Sequence, residues 1–306
     1  MRTVLTLLFC LIFCTQNIHA QESEMNIESP SAILMEASTG TVIYEKNAEA
    51  RLPVASMVKL MTILLTYEEI DKGNLTLDTK IQTTENASKM GGSQVFIDPY
   101  VSYKADDLIK SVIMTSANDA SVALAEHISG IEEVFVKKIN KRANELGLTN
   151  TLYANCTGLP APEQYSCAID SAKLLKQLLS HKEYHSHSAI WMDKLIHPSG
   201  RQTELVNTNK LVRYYKGCDS GKTGSTNEAG YCLTASAIKN DMRLISVVIG
   251  AKTGQDRFKE VSSLFNYGFA NFSNQLIVDK TIKLDTITIT QSKIETCDIF
   301  AKEDFY

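Results

Sequence analysis

The segment Ala55-Ser56-Met57-Val58-Lys59-Leu60-Met61-Thr62 places a hydroxyl and an amine three residues apart within an otherwise apolar run. If the run is helical, residues three apart share a face, with Cβ atoms roughly 5–6 Å from each other. A helix that is apolar on nearly every side is a buried one. Burial penalises the charged form of lysine and makes it a candidate base. Serine needs such a base to act as a nucleophile. The modest alternative makes Ser56 a helix cap and lets Lys59 reach to water. Ser-x-x-Lys is common, so its meaning depends on what else the chain supplies.

Two further segments carry suitable groups. In Ser116-Ala117-Asn118 the polar side chains are two apart, so on a continuous helix they would point nearly opposite ways. Ser, Asn and Asp favour caps and turns, and the Asp119 that follows strengthens the expectation of a helix break. A break would let Ser116 and Asn118 face one cleft. An ordinary helix–helix turn is the competing account. Lys222-Thr223-Gly224 follows a strand-like run and precedes a hairpin connection that begins at Ser225. Glycine in a strand lets another backbone or a ligand come close, and a lysine and a hydroxyl beside it can grip a carboxylate. A second Lys-Thr-Gly, Lys252-Thr253-Gly254, ends a strand and opens a helix. It reads as a chance repeat.

The elements that position these groups follow from periodicity. Ser31–Met35 and Thr41–Glu45 read as a hairpin around Ala37-Ser38-Thr39-Gly40. A helix runs from about Ser56 to near Gly73, and residues 74–103 read as irregular surface. Asp106-Asp107 opens a helix that breaks at 115–119 and resumes from Ala120 to Ile128. Another helix runs from Ile131 to Leu146, and one capped by Asp170 or Ser171 follows to Leu179. Strands are expected over 206–212, 217–222, 231–237 and 244–250, then a final helix from Arg257 to Phe272. Strands, a helical block, strands and a helix in that order give an α+β chain, with the helices inserted between segments of an antiparallel sheet.

Composition bounds the setting. The chain has 306 residues, 44% hydrophobic and 22% charged, with a net charge of -4. This is ample for a globular core and argues against nucleic acid as a partner. Residues 1–20 carry Arg2 and an apolar stretch from Val4 to Phe13, and end on Ala20. They read as a secretory leader cleaved after Ala20. Phe13 before Cys14 argues against lipid attachment. Five cysteines follow the leader; Cys156 with Cys167 and Cys218 with Cys232 are possible pairs, leaving Cys297, and five buried thiols are equally compatible. His181, His185 and His187 lie close in sequence, but no His-Glu-x-x-His run accompanies them, so a solvated helix end is favoured over a metal site. His127 and His197 have no evident partner. Residues 273–306 are β-prone and too short for a domain of their own; they either pack on the main body or begin something larger.

The three polar segments together form a set recognised in penicillin-binding proteins and class A β-lactamases. The chain resembles the low-molecular-mass D-alanyl-D-alanine carboxypeptidases, the penicillin-sensitive serine DD-peptidases. The resemblance rests on residues 53–62, Gly92-Ser-Gln-Val-Phe-Ile97, residues 115–126, Gly158-Leu159 with Gln164-Tyr165-Ser166, and Gly221-Lys-Thr-Gly224 with Glu228-Ala-Gly-Tyr231, in order from about Ser29 to Phe272.

The resemblance implies a β-lactamase/transpeptidase-like fold with an antiparallel sheet of about five strands, in a catalytic domain over residues 21–272. Ser56 would be the acylated nucleophile, Lys59 its base, Ser116 a proton relay and Asn118 a holder of the substrate amide. Lys222 and Thr223, next to Gly224, would bind a terminal carboxylate. The N–H groups of Ser56 and Ser225 would form the oxyanion hole. The implied partners are a peptidoglycan stem peptide ending in D-Ala-D-Ala and β-lactam antibiotics as covalent inhibitors. No metal or cofactor is implied, and the location is extracytoplasmic.

Departures are few. Gly221 stands where a branched apolar residue is usual, which would loosen the strand. No basic amphipathic helix is visible at the end, so anchoring on a membrane by that route is not expected. A β-lactamase would need a Glu-x-x-Leu-Asn run, and Glu163-Gln-Tyr-Ser-Cys does not fit. A penicillin-binding structural or sporulation protein with little turnover is the other rival.

Overall fold

The computed structural model describes residues 25–289 and 296–302; the expected leader lies outside them. In chain order, strands β1 (Ser31–Glu36) and β2 (Val42–Lys46) precede a 3₁₀ turn (Ala55–Val58) that runs into α1 (Lys59–Asp71). Then come β3 (Lys80–Gln82), α2 (Glu85–Ser88), β4 (Ser102–Lys104), α3 (Ala105–Thr115), α4 (Asn118–Ser129), α5 (Glu132–Glu145), α6 (Ala168–Leu178) and α7 (Lys182–Ser188). A hairpin of β5 (Met192–Ile196) and β6 (Gln202–Val206) leads through α8 (Leu211–Tyr214) to β7 (Cys218–Thr226), β8 (Gly230–Lys239) and β9 (Met242–Ala251). Helix α9 (Gly254–Asn271) and a hairpin of β10 (Lys283–Thr288) and β11 (Thr296–Phe300) follow.

The main sheet has five strands in the order β2-β1-β9-β8-β7, and every neighbouring pair is antiparallel. Its central strands are buried on both faces, which is why β1 and β9 read as nearly unbroken apolar runs. In β1 the side chains alternate: Ile33 and Met35 pack with the helical block, Ala32 and Leu34 with the side that α9 covers. In β9, Ile245, Val247 and Ile249 join the first cluster, Leu244 and Val248 the second. Helix α9 closes the second face with Val261, Leu264 and Phe265. Helix α1 runs through the first cluster with every residue from Lys59 to Tyr67 buried, as its all-round apolar sequence requires.

Several sequence expectations are corrected. Residues 206–212 are not a strand: β6 ends at Val206 and a turn of helix, α8, begins at Leu211. The apolar Leu205, Leu211 and Val212 straddle a bend rather than alternate. The helix expected from Asp170 or Ser171 starts at Ala168 with Cys167 at its cap position, and Asp170 instead accepts from Asn150 N (2.8 Å) and Thr151 Oγ1 (2.8 Å). Residues 74–103 contain β3, α2 and β4, elements too short for periodicity to reveal. Gly221 does not loosen β7. Its φ is 138°, and a Cβ there would lie 2.3 Å from Thr234 O, so the strand needs glycine to sit this close to β8. Cys156, Cys167, Cys218 and Cys232 are free and buried, while Cys297 is free and exposed, so neither suggested disulfide forms and not all five thiols are buried. In the tail, β10 and β11 are exposed at every position rather than packed on the body, and Leu276-Ile277-Val278 is not a strand.

The histidines are not a solvated helix end. His181 and His187 are buried, and Tyr67 stacks against both. His187 lies between Tyr67 Oη (2.6 Å) and Asp106 Oδ1 (2.8 Å), His181 faces Asp71 (2.8 Å), and His185 faces Leu179 O (2.9 Å). The three therefore turn to different partners. His197, too, is buried, between Tyr103 Oη (2.9 Å) and Thr203 Oγ1 (2.8 Å).

Because Phe265 is wholly buried where α9 meets the sheet, Phe265→Ala should cost about 3–5 kcal/mol in urea unfolding. A cost below about 1 kcal/mol would mean that α9 does not hold this face.

Candidate active site

The 3₁₀ turn that carries Ser56 is strained and tightly enclosed. Ala55 has φ 48°, a left-handed conformation unusual for a residue with a side chain. Two glycines allow other segments to close on it. At Gly158 (φ 79°) a Cβ would lie 2.1 Å from Ala55 O and 2.9 Å from Ser56 N. At Gly224 a Cβ would lie 2.5 Å from Val54 O and 3.1 Å from Ser56 N. Strand β7 and the 155–164 loop therefore both press on the nucleophile turn, and neither can approach with a larger residue. This brings the backbone of Gly224 beside the Ser56 N–H.

Lys59, the first residue of α1, is fully buried. Its Nζ lies 3.1 Å from Ser56 Oγ, and donates to Asn118 Oδ1 (2.6 Å) and Thr157 O (2.5 Å). Loss of hydration in this apolar setting pulls the ammonium down to about 7, against weaker upward pulls from Cys156 and Asp119. The geometry has a chemical consequence. A neutral amine keeps two N–H bonds and one lone pair. Two carbonyl oxygens accept the two N–H bonds, which leaves the lone pair facing the Ser56 hydroxyl.

The loop supplying Thr157 O is built to hold it. Asn155 Oδ1 accepts from Thr157 N (3.1 Å) and Gly158 N (2.7 Å), and Asn155 Nδ2 and Gln164 Nε2 both donate to Leu159 O (3.0 and 2.9 Å). Glu163, the carboxylate weighed for a β-lactamase, is exposed at φ 60°.

The break between α3 and α4 falls at Ser116, which adopts φ 64° and ψ 31°. Helix α4 resumes at Asn118, two residues earlier than the sequence reading placed it. Asn118 Nδ2 donates to Gly91 O (2.6 Å) and Asn118 N to Ser93 O (2.7 Å), so the 91–97 loop lies over it. At Gly92 a Cβ would come 2.7 Å from Asn118 Nδ2. Asp119, wholly buried, accepts the N–H groups of Val95 and Ile97 and fixes that loop to α4. The Ser116 hydroxyl is buried and has no hydrogen-bond partner among the described residues.

Lys222 and Thr223 are buried in β7. Thr223 Oγ1 donates to Thr208 Oγ1 (2.8 Å), and Lys222 Nζ donates to Thr223 O (3.1 Å). Burial pushes the Lys222 ammonium well down, and the nearby Lys59 and Arg257 push it further. Ser225 is exposed, at the strand's outer end.

Sequence reasoning missed four contributors: Thr157, through its carbonyl; Asp119; Thr208; and Arg257, whose Nη1 donates to Gly224 O (3.1 Å) and Cys232 O (3.3 Å) behind β7. Asp119 directly follows Asn118 in the motif, which was a usable signal. The others act through backbone groups or sit far away in sequence, and their residue types carry no mark of the site.

A serine hydroxyl beside a fully buried amine, with a lysine and a threonine buried in the edge strand β7, is the arrangement a serine peptidase requires. The profile of the D-alanyl-D-alanine carboxypeptidase peptidases matches residues 17–253, so the chain belongs to that family. It is 41% identical over 281 residues to D-alanyl-D-alanine carboxypeptidase DacF of Bacillus subtilis, covering 92% of this chain and 72% of that protein. Among solved structures it resembles penicillin-binding protein 5 of Haemophilus influenzae at 30% identity and a TM-score of 0.81, covering 91% and 81% of the two chains. It also resembles penicillin-binding protein D2 of Listeria monocytogenes, solved in an ampicillin-bound form, at 28% identity and a TM-score of 0.71 over 80% of this chain and 99% of that one.

If Lys59 acts as a neutral base, the second-order rate of penicillin acylation falls about tenfold for each pH unit below about 7 and levels off above it. The sign follows from burial, which disfavours the charged form. Lys59→Arg retains donors but loses the lone pair, and should slow acylation by about 10²–10⁴-fold. A rate independent of pH from 5 to 8, or a fully active arginine variant, would remove Lys59 from this role.

Proposed function

We propose that this protein is a serine DD-carboxypeptidase that removes the terminal D-alanine from peptidoglycan stem peptides. The observation that carries the proposal is the Lys59 amine, held between two carbonyls with Ser56 Oγ 3.1 Å away. The substrate's terminal carboxylate binds at Lys222 and Thr223 and restores the charge that burial disfavours on Lys222. Asn118 orients the penultimate amide. The N–H groups of Ser56 and Ser225 stabilise the oxyanion, a donor of this kind being worth roughly 3–4 kcal/mol.

Lys59 takes the Ser56 proton as Oγ attacks the carbonyl carbon. The C–N bond breaks, and the departing D-alanine amine is protonated through Ser116. Water then cleaves the ester, returning Ser56 and a shortened peptide. A β-lactam presents a carboxylate and a strained amide to the same groups, and its tethered leaving group stays on the acyl-enzyme. We further propose that residues 1–20 are a cleaved leader, that residues 21–272 form the catalytic domain, that residues 273–306 are a β-prone tail outside it, and that the protein works outside the cytoplasm. Among the described residues, no helix is long and apolar enough to cross a membrane.

Two measurements test the reading. Intact mass after penicillin treatment should rise by one adduct in the native protein and not in Ser56→Ala. Incubation with a pentapeptide ending in D-Ala-D-Ala should release one equivalent of D-alanine per peptide. Labelling that survives Ser56→Ala contradicts the nucleophile. Labelling at Ser56 without D-alanine release would instead mark a penicillin-binding protein with little turnover.

A further inference from the structure

Trp191, the chain's one tryptophan, is partly buried just ahead of the β5–β6 hairpin and has no part in the chemistry above. It precedes β5, and its carbonyl accepts the N–H of Asn207, just after β6 (2.9 Å). Tyr214, at the end of α8, meets the indole edge-on, with ring centroids 5.9 Å apart at 68°. Tyr214 is 70% exposed. The Arg213 guanidinium lies 5.8 Å from the Trp191 ring centroid and 5.9 Å from that of Tyr214. Met192 and Val206, both exposed and paired across the hairpin, extend the patch. Among the described residues no carboxylate pairs with Arg213, and no acceptor takes the indole N–H.

The patch therefore offers apolar ring surface together with unused donors. Exposed apolar patches of this kind mark interaction sites, and Trp and Tyr suit partners that are apolar on one side and polar on the other. A pyranose has that character, with C–H groups on its face and hydroxyl and acetamido groups at its edge. Position favours a sugar over a protein partner. Thr208, next to Asn207, donates its N–H to Met114 O (2.8 Å), two residues before Ser116, and its hydroxyl accepts from Thr223 (2.8 Å). The backbone that carries Trp191 is thus tied through Asn207 and Thr208 to both sides of the cleft. A stem peptide hangs from a glycan strand, and about four residues separate the sugar from the scissile bond, roughly 13 Å when extended. The sugar then belongs on the rim rather than in the cleft.

We propose that Trp191, Tyr214 and Arg213 form a platform for the N-acetylhexosamine rings of the glycan strand whose stem peptide occupies the cleft. The assignment of the strand rests on the DD-carboxypeptidase reading; the affinity for sugar does not. The platform makes the protein select glycan-linked stem peptides over free ones.

Trp191 is its own reporter. Titration of the full chain with a β-1,4-linked N-acetylglucosamine tetramer should give a saturable change in tryptophan fluorescence. In Tyr214→Ala the affinity should drop at least tenfold, while penicillin acylation of Ser56, which checks the fold, keeps its native rate. With active enzyme, kcat/KM for a disaccharide-linked pentapeptide should exceed that for the free pentapeptide about tenfold, through KM, and the ratio should approach one in Tyr214→Ala. No saturable response to the tetramer, an unchanged response in Tyr214→Ala, or an equal response to the sugar-free peptide overturns the platform. A saturable sugar response without D-alanine release from either substrate upholds the platform and overturns the cleft assignment.

Discussion

The structure depends on one buried amine. Lys59 is removed from water by α1, which is apolar on all sides, and its Nζ meets Ser56 Oγ, Asn118 Oδ1 and Thr157 O. Burial without partners would be too costly, because a desolvated ammonium is among the least tolerated groups in a protein interior. Burial with carboxylate partners would hold the proton on nitrogen. Neutral oxygen acceptors in a dry pocket lie between these extremes, and the ammonium falls to about 7. The close approach of Gly158 and Gly224 to the Ser56 turn, the Asn155-stapled loop and the broken α3–α4 helix all serve to bring those acceptors to that nitrogen.

A second consequence is electrostatic. Burial is the main cause that depresses the Lys222 ammonium, with smaller contributions from Lys59, when it is charged, and from Arg257. Asp119, the buried carboxylate nearby, is occupied by backbone N–H groups. A carboxylate placed beside Lys222 would offset the burial that disfavours its charge. In the proposed reading the two lysines differ in one respect: Lys222 would gain a counter-ion from the ligand, and Lys59 would not.

Much of this was legible in the sequence. The antiparallel sheet, the buried first helix and the break near Ser116 follow from apolar runs and from polar residues that disfavour helix interiors, while the count of about five strands was implied by the family resemblance. Ser56 and Lys59 were chosen for chemistry that their spacing made plausible, and Asn118 for the role that the family resemblance implies; the three meet in space. What was not legible has physical causes. The short β3, α2 and β4 have too few residues to show a period. In β5 the exposed face carries Met192 and Ile196 and the other face carries Asp193 beside the buried Leu195, so alternation gave little signal. Thr157 acts through a carbonyl that any residue possesses. Gly221 looked like a weakness because a missing side chain does not announce the neighbour, Thr234 O, that excludes it. His181 and His187 looked solvated because their polar neighbours hid a tertiary contact with Tyr67.

The most direct measurement is the titration of Lys59 itself. Protein labelled with ¹³C and ¹⁵N at lysine, with the Lys59 side-chain signal assigned by its loss in Lys59→Arg, can be followed by NMR from pH 5 to 11. A midpoint at about 7 is the result the structure predicts. A midpoint at about 10.4, the ordinary lysine value, would mean that the amine stays protonated at neutral pH and cannot take the Ser56 proton.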